Sequence, residues 1–203
     1  MPVPAEITAA LESVIDIYFS SVRHRERAAF ILCDNLVEMA CKTKAREHNY
    51  RANMQCGFHD ALLLPGVTVR STLARRLESN RSTRNNMQHG SAAATVDAEH
   101  CAKAILDAVK VIDHCWPNSS ANHFPAWIRC ALRVVRLYSS GDNPLAKNDF
   151  ESHMRSAQWR VADRETVKVN CRQIEMGNRD HWGLAIRTQA TIVEDCLTRA
   201  NVP

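Results

Sequence analysis

Residues 96–115, VDAEHCAKAILDAVKVIDHC, repeat apolar side chains at the spacing of an α-helix and decide the fold class. The repeat follows the i, i+3, i+4, i+7 pattern through Cys101, Ala104, Ile105, Ala108, Ile112 and Cys115. One side of this helix is therefore predicted to lie in a core. Thr95 is expected to cap its N-terminus, and Asp97 lies favourably near the positive end of the helix dipole. Pro117 follows its last turn.

The same spacing recurs on both sides of this stretch, so the sequence predicts an all-α fold. The other predicted helices span about residues 5–20, 26–47, 69–78, 125–138, 148–158 and 181–199. Residues 79–86, SNRSTRNN, are expected to form a polar segment after the helix at 69–78. Residues 160–176 contain three valines that could belong to a strand.

The best candidate for a linker is the polar stretch at 117–123, PNSSANH, which follows the strongest helix. We therefore expect two parts in the chain. Residues 1–116 would form a helical bundle, and residues 117–203 a mainly helical C-terminal extension that could dock a partner.

The composition excludes several classes of protein. The chain has 203 residues, of which 45% are hydrophobic and 24% charged, with only 6 Gly and 7 Pro. That balance is typical of a globular protein and unlike collagen or a long disordered chain. No stretch approaches the roughly 18 consecutive apolar residues of a membrane-spanning helix. The N-terminal MPVPAE lacks the features of a signal peptide, so we expect a cytoplasmic protein with a mild net charge of +4.

Eight cysteines and nine histidines are spread along the chain without a metal-binding pattern. The sequence contains neither a CxxC pair nor an HExxH motif. A free cysteine packs like a small hydrophobic residue, and several cysteines lie in the predicted apolar stripes. We therefore expect reduced core thiols, no bound metal and no cofactor.

The segment at 84–90, RNNMQHG, is the stretch whose residue types and spacing point to chemistry. Arg84 is followed directly by the polar Asn85, and His89 comes five residues after the arginine. An arginine and a histidine at this spacing occur about once by chance in such a chain, whereas requiring the asparagine lowers the expectation to roughly 0.06. No phosphate-binding glycine loop, dinucleotide fingerprint or nucleophile elbow occurs in the sequence.

Over residues 24–116 the chain resembles the HEPN superfamily, the higher eukaryotes and prokaryotes nucleotide-binding domain. Members of that family are small helical bundles that carry an R-x(4–6)-H motif, usually with a polar residue after the arginine. The matching residues here are Arg84, Asn85 and His89. The resemblance includes the long helix at 26–47 and the helix at 96–115, and it does not extend to the residues after 116.

The resemblance implies a metal-independent endoribonuclease in which each motif residue has a role. In such enzymes the 2′-OH of the RNA attacks the adjacent phosphate, leaving a 2′,3′-cyclic phosphate and a 5′-OH. His89 would transfer protons, because imidazole titrates near neutral pH. Arg84 would clamp the phosphate and stabilise its added charge, and Asn85 would orient either group. Family members typically dimerise to bring two motifs to one cleft, which implies a homodimer.

Arginines near the motif are expected to contact the RNA backbone. Arg75, Arg76 and Arg81 would supply positive charge to the phosphates. The same three residues also fit an ordinary solvated helix face.

Two other interpretations of the sequence stay open. The motif residues could be turn residues, with Asp34 and Glu38 of the helix at 26–47 facing Arg84 as structural ion-pair partners. The chain would then be a catalytically silent helical module for dimerisation or partner binding. Alternatively, residues 117–203 could dock a restraining partner, such as an antitoxin or regulatory protein.

The resemblance implies the biological role of a toxin or effector, with phage defence as its setting, by analogy with the family. In the toxin branch that pairs with a nucleotidyltransferase antitoxin, a tyrosine follows the motif histidine by two residues. Ser91 stands at that position here, which speaks against control by modification of such a tyrosine.

Overall fold

The computed structural model describes residues 2–20, 22–48, 55–89, 95–139, 144–158 and 179–202. Within these ranges the chain forms nine α-helices, one π-helical turn and no strand, which confirms the all-α prediction. The α-helices are α1 (Ala5–Phe19), α2 (Arg25–Glu47), α3 (Phe58–Leu62), α4 (Ser71–His89), α5 (Ala98–Cys115), α6 (Ala126–Ser139), α7 (Pro144–Gln158), α8 (Arg179–Thr188) and α9 (Ala190–Arg199). None of these helices is long and apolar enough to cross a lipid bilayer.

Helix α5 lies at the centre of the fold, as its apolar repeat predicts. Ten of its eighteen residues are buried, and it packs most extensively against α2 and α6. Helix α1 covers another side of α2, and the Tyr18 hydroxyl donates to the Ala98 carbonyl at 3.1 Å. The N-terminal cap of α5 is Asp97, whose carboxylate accepts the His100 backbone N–H at 2.7 Å. The prediction of Thr95 as the cap is therefore wrong.

Helix α4 is longer than the sequence predicts. The predicted helix ends at residue 78, whereas α4 continues through the polar residues to His89. No glycine or proline occurs between residues 67 and 89, and serine and asparagine each cost only about 0.5 kcal/mol inside a helix. The buried side chains of Leu77 and Met87 anchor the helix along its length. The interpretation of Arg84 and Asn85 as turn residues is therefore wrong.

The described residues of the C-terminal part lie mostly in helices. Helix α7 begins at Pro144, earlier than predicted. The predicted helix at 181–199 is instead two helices that meet at Gln189, whose backbone (φ −141°, ψ 40°) is not helical. The sequence does not mark this break because no proline or glycine stands there. The stretch at 160–176, for which a strand remained an option, lies outside the described residues.

The predicted linker at 117–123 is largely an ordered turn. Residues Ser119–His123 form the π-helical turn, and the Ser120 backbone N–H donates to the Asp113 carboxylate on α5 at 2.7 Å. Helix α6 then packs on α5, and buried residues from both sides of the turn join one hydrophobic cluster. The division of the chain into residues 1–116 and 117–203 stays a prediction.

Candidate active site

Helix α4 carries the three motif residues on one uninterrupted stretch. Asn85 and His89 are four residues apart, so they lie one above the other on the same face, and both are exposed. Arg84 lies about 140° around the helix from His89, on the side that faces α2. The structure therefore places Asn85 between a half-buried arginine and an exposed histidine.

The guanidinium of Arg84 extends from the interior to the surface. Its Nε atom is buried, lies 3.7 Å from Asp34 Oδ2 and has no hydrogen-bond partner. Its Nη1 atom donates to Asn85 Oδ1 at 3.1 Å. The side chain is 18% exposed, so its reachable part is the end that contacts Asn85. The hydrogen bond to Asn85 therefore determines which end of the Arg84 guanidinium solvent can reach.

Asp34 on α2 is the acidic partner of the motif region, as the sequence predicts. Its side chain is 2% exposed, and Oδ2 accepts a hydrogen bond from Arg81 Nη1. Burial raises the pKa of Asp34, and the hydrogen bond from Arg81 opposes part of that rise. Glu38 is farther away, with Oε2 3.7 Å from Arg81 Nη1. A buried carboxylate thus holds two arginines of α4 against α2.

Arg27 fixes the C-terminal end of α4, a role that the sequence analysis missed. Its Nη2 atom donates to the backbone carbonyl of Met87, one of the last carbonyls of the helix, which have no partner within the helix itself. A cation is also favourable beside the negative end of the helix dipole. The contact sets the position of His89 two residues later.

The three arginines that the sequence predicts as RNA contacts have different surroundings. Arg75 is exposed. Arg76 donates from Nε and Nη2 to the two carboxylate oxygens of Asp107 on α5, both at 2.9 Å. Arg81 is paired with Asp34, and its guanidinium stacks 5.1 Å from the Phe58 ring. Two of the three arginines therefore also attach α4 to the rest of the bundle.

A second histidine, His59, lies beside α4. The sequence analysis did not connect this residue with the helix. His59 on α3 has its Nδ1 atom 2.5 Å from Glu78 Oε1 on α4. Nineteen residues separate the two, so no local spacing could have revealed the pair.

The described residues contain no group of three His, Cys, Asp or Glu side chains arranged to hold a metal ion. Seven cysteines lie in the described ranges, and none forms a disulfide there. Six of them are buried, and Cys56 is half-buried. Burial raises the pKa of the Cys33 thiol well above its ordinary value, which makes that residue a poor nucleophile.

Comparison with known proteins identified no relative of this chain. No protein-family model matches the chain, and no curated protein or solved structure shows detectable similarity to it. The resemblance to HEPN domains therefore rests on the motif and on the helix pattern, and a function has to be argued from the residues of α4 and their neighbours.

Proposed function

We propose that the protein is a metal-independent endoribonuclease of the HEPN type that acts in the cytoplasm, with Arg84, Asn85 and His89 in its active site. The observation that carries this proposal is the Arg84–Asn85 hydrogen bond of 3.1 Å, with His89 one turn further on the same face as Asn85. A cation, an amide and an imidazole thus lie together at the exposed end of one helix. Those are the groups that RNA cleavage by internal transesterification needs.

The chemistry divides between the imidazole and the guanidinium. The 2′-oxygen forms a bond to phosphorus while its proton passes to a neutral imidazole, and the bond from phosphorus to the 5′-oxygen breaks as that oxygen takes a proton. His89 is the proton-transfer group, and Nη of Arg84 stabilises the charge of the pentacoordinate phosphate. The reaction needs both a base and an acid, and one imidazole does not serve well as both. The site therefore needs a proton-transfer group from a second copy of the chain.

The surroundings of Arg84 favour this role. Asp34 and Asn85 hold the guanidinium at both ends, so little side-chain entropy is lost when it contacts a phosphate. The exposed Arg75, with Arg76 and Arg81, adds positive charge along α4 for the RNA backbone. A role as a toxin or defence effector, restrained by an antitoxin or regulatory protein at residues 117–203, rests on family analogy.

Cleavage of RNA in excess EDTA by purified protein tests the proposal. We expect cleavage by the wild type, a loss of about 100-fold or more in Arg84→Ala and His89→Ala, and a smaller loss in Asn85→Ala. His123→Ala and Arg199→Ala are matched controls, because both residues are exposed and lie on other elements, and we expect wild-type rates from them. Cleavage that EDTA abolishes, or that the Arg84 and His89 variants retain, would overturn the proposal.

A catalytically silent module for dimerisation or partner binding is the second candidate, and one observation favours it. Asp34 lies beside both Arg81 and Arg84, so part of the positive charge of α4 is already balanced within the protein. On this alternative Arg84→Ala lowers the free energy of unfolding, and no RNA is cleaved by any form of the protein. The cleavage assay separates the two candidates, and unfolding measurements on the same variants show how much Arg84 contributes to stability.

A further inference from the structure

The pair formed by His59 and Glu78 has the geometry of a proton-transfer group. The His59 side chain is 69% exposed, and its Nδ1 atom is 2.5 Å from the Glu78 carboxylate. When Nδ1–H donates to that carboxylate, the tautomer is fixed and the lone pair of Nε2 is left open to solvent. A carboxylate in this position also stabilises the imidazolium that forms when Nε2 accepts a proton.

Glu78 and His89 lie on the same exposed ridge of α4. They are eleven residues apart, which is close to three full turns and about 16 Å along the helix axis. Ser82 and Asn85 lie between them on that ridge, and both are exposed. The ridge thus has an imidazole near each end, His59 at one and His89 at the other, with small uncharged side chains in the middle.

The positive charges of this part of α4 are anchored beside the ridge, which only the Nη1 end of Arg84 reaches, at Asn85. Arg81 and Arg84 face α2, where both lie beside the buried carboxylate of Asp34. The middle of the ridge can therefore approach a second copy of itself without opposing unpaired guanidinium groups directly. A surface of this kind suits an isologous contact about a two-fold axis.

A two-fold axis beside the middle of α4 would bring the two different imidazoles together. Within one chain Glu78, which holds His59, lies about 16 Å from His89 along the helix axis, and this is too far for both imidazoles to reach the oxygens of a single phosphate. In an antiparallel pair of α4 helices, His89 of each copy lies level with Glu78 and His59 of the other. The dimer would then contain two equivalent sites, each with one His59 and one His89.

We propose that His59, positioned by Glu78, is the second proton-transfer residue of the reaction and works with His89 of a second copy of the chain. This inference rests on the proposed ribonuclease function. Nε2 of His59 takes the proton of the 2′-OH as the bond from the 2′-oxygen to phosphorus forms. The protonated His89 gives its proton to the 5′-oxygen as the bond from phosphorus to that oxygen breaks. A later exchange with water restores both imidazoles.

Complementation between two inactive variants tests the inference. His59→Ala and His89→Ala are made separately and also co-expressed with different affinity tags, so that the mixed dimer can be isolated. Each single variant is expected to lose about 100-fold in cleavage rate. The mixed dimer retains one complete site of two, so its rate is expected to be about half that of the wild type. A mixed dimer of His123→Ala with wild type, expected at the full rate, controls for the tags.

Glu78→Gln tests the positioning role separately. The amide keeps the size of the side chain but removes its charge, so we expect a fall of about 10-fold in kcat with KM unchanged, and an altered acid limb of the pH–rate profile. A purely structural role would leave the pH profile as it is. His59→Ala exposes no core, because the side chain is 69% exposed, and circular dichroism checks that each variant is folded.

The outcomes distinguish the two proposals. Full activity in His59→Ala with none in His89→Ala would overturn the role of His59 and leave the proposed function standing. A mixed dimer as inactive as its parents would overturn the shared site. A wild-type protein that cleaves no RNA would overturn both.

Discussion

Helices α4 and α5 have almost the same length, 19 and 18 residues, yet they are held in the bundle by different forces. Ten residues of α5 are buried, whereas only Leu77 and Met87 are buried on α4. Polar contacts supply much of the remaining attachment of α4. Arg76 pairs with Asp107, Arg81 with Asp34, and the Met87 carbonyl accepts from Arg27.

The contrast explains why the candidate site lies on α4. A helix that is buried on most of its surface contributes stability but has no side left for a ligand. A helix attached by a few apolar contacts and by ion pairs keeps a polar face open to solvent. Each of the following predictions tests this difference, from the largest expected effect to the smallest.

Truncation of one apolar residue on each helix tests the difference most strongly. Ile105 on α5 is completely buried, so Ile105→Ala is expected to lower the free energy of unfolding by about 4 kcal/mol. Leu77→Ala on α4 is expected to cost about 2 kcal/mol, because Leu77 borders a small cavity and α4 can adjust on its open side. Urea unfolding measures both values. Equal losses would contradict the account.

Removal of Arg81 tests the ionic attachment of α4. Arg81→Ala leaves the buried carboxylate of Asp34 with Arg84 as its remaining cation, 3.7 Å away and without a hydrogen bond. Loss of one partner from a buried pair is costly, and because Arg81 is 27% exposed we expect about 2 kcal/mol. The double variant Arg81→Ala with Asp34→Asn should recover part of that loss in the same urea experiment. A single variant as stable as wild type would show that the pair does not hold α4.

The pH dependence of stability tests the burial of Asp34. Burial raises the pKa of this carboxyl above its ordinary value of 3.8, so the unfolded chain releases the proton at lower pH than the folded protein. The contribution of Asp34 to stability is therefore full below about pH 3.8 and is lost as the pH rises through the raised pKa. The surrounding charges are Arg81, Arg84 and Glu38.

Comparison of wild type with Asp34→Asn isolates this contribution. The variant has no proton to release at that position, so its stability relative to wild type should increase as the pH rises from about 3.8 towards neutrality. Urea unfolding at a series of pH values gives the difference directly. A relative stability that falls with rising pH would mean that the two arginines outweigh burial.

The smallest effect is expected at the outer edge of α4. Arg76 is 50% exposed, and its partner Asp107 also accepts from Lys110 at 3.2 Å. Water and salt screen the exposed Arg76 end of this pair, and Lys110 still neutralises the buried Asp107 carboxylate in the variant, so Arg76→Ala should cost only about 1 kcal/mol. A loss as large as that of Arg81→Ala would show that exposure does not distinguish the two pairs.

The difference between apolar attachment, as on α5, and polar attachment, as on α4, also determines how much of the structure the sequence could predict. Helices α1, α2, α5 and α6 have apolar repeats, and their predicted ends lie within two residues of the observed ones. The repeat is lost on the second half of α4, where residues 79–86 are polar, so the predicted helix ends at residue 78 whereas α4 continues to His89. Its stability comes from partners far away in sequence, such as Asp34, 47 residues before Arg81.

The candidate site was predictable in its residues but not in its geometry. The spacing of Arg84, Asn85 and His89 could be taken directly from the sequence, and Asp34 was expected to face them. That Arg84 turns inwards while His89 faces solvent depends on the helix continuing past residue 78. The pairing of His59 with Glu78 depends on the position of α3 beside α4, which no local pattern encodes.

The central claim is that the 2′-hydroxyl of RNA is the nucleophile at the end of α4, with His89 as a proton-transfer residue of the reaction. The most direct test incubates the protein in EDTA with an RNA oligonucleotide and with its fully 2′-O-methylated copy, and identifies the products by mass spectrometry. We predict 2′,3′-cyclic phosphate ends from the unmodified RNA, no cleavage of the methylated copy, and cleavage about 100-fold slower in His89→Ala. Cleavage of the methylated copy, or products with 5′-phosphate ends, would contradict the account.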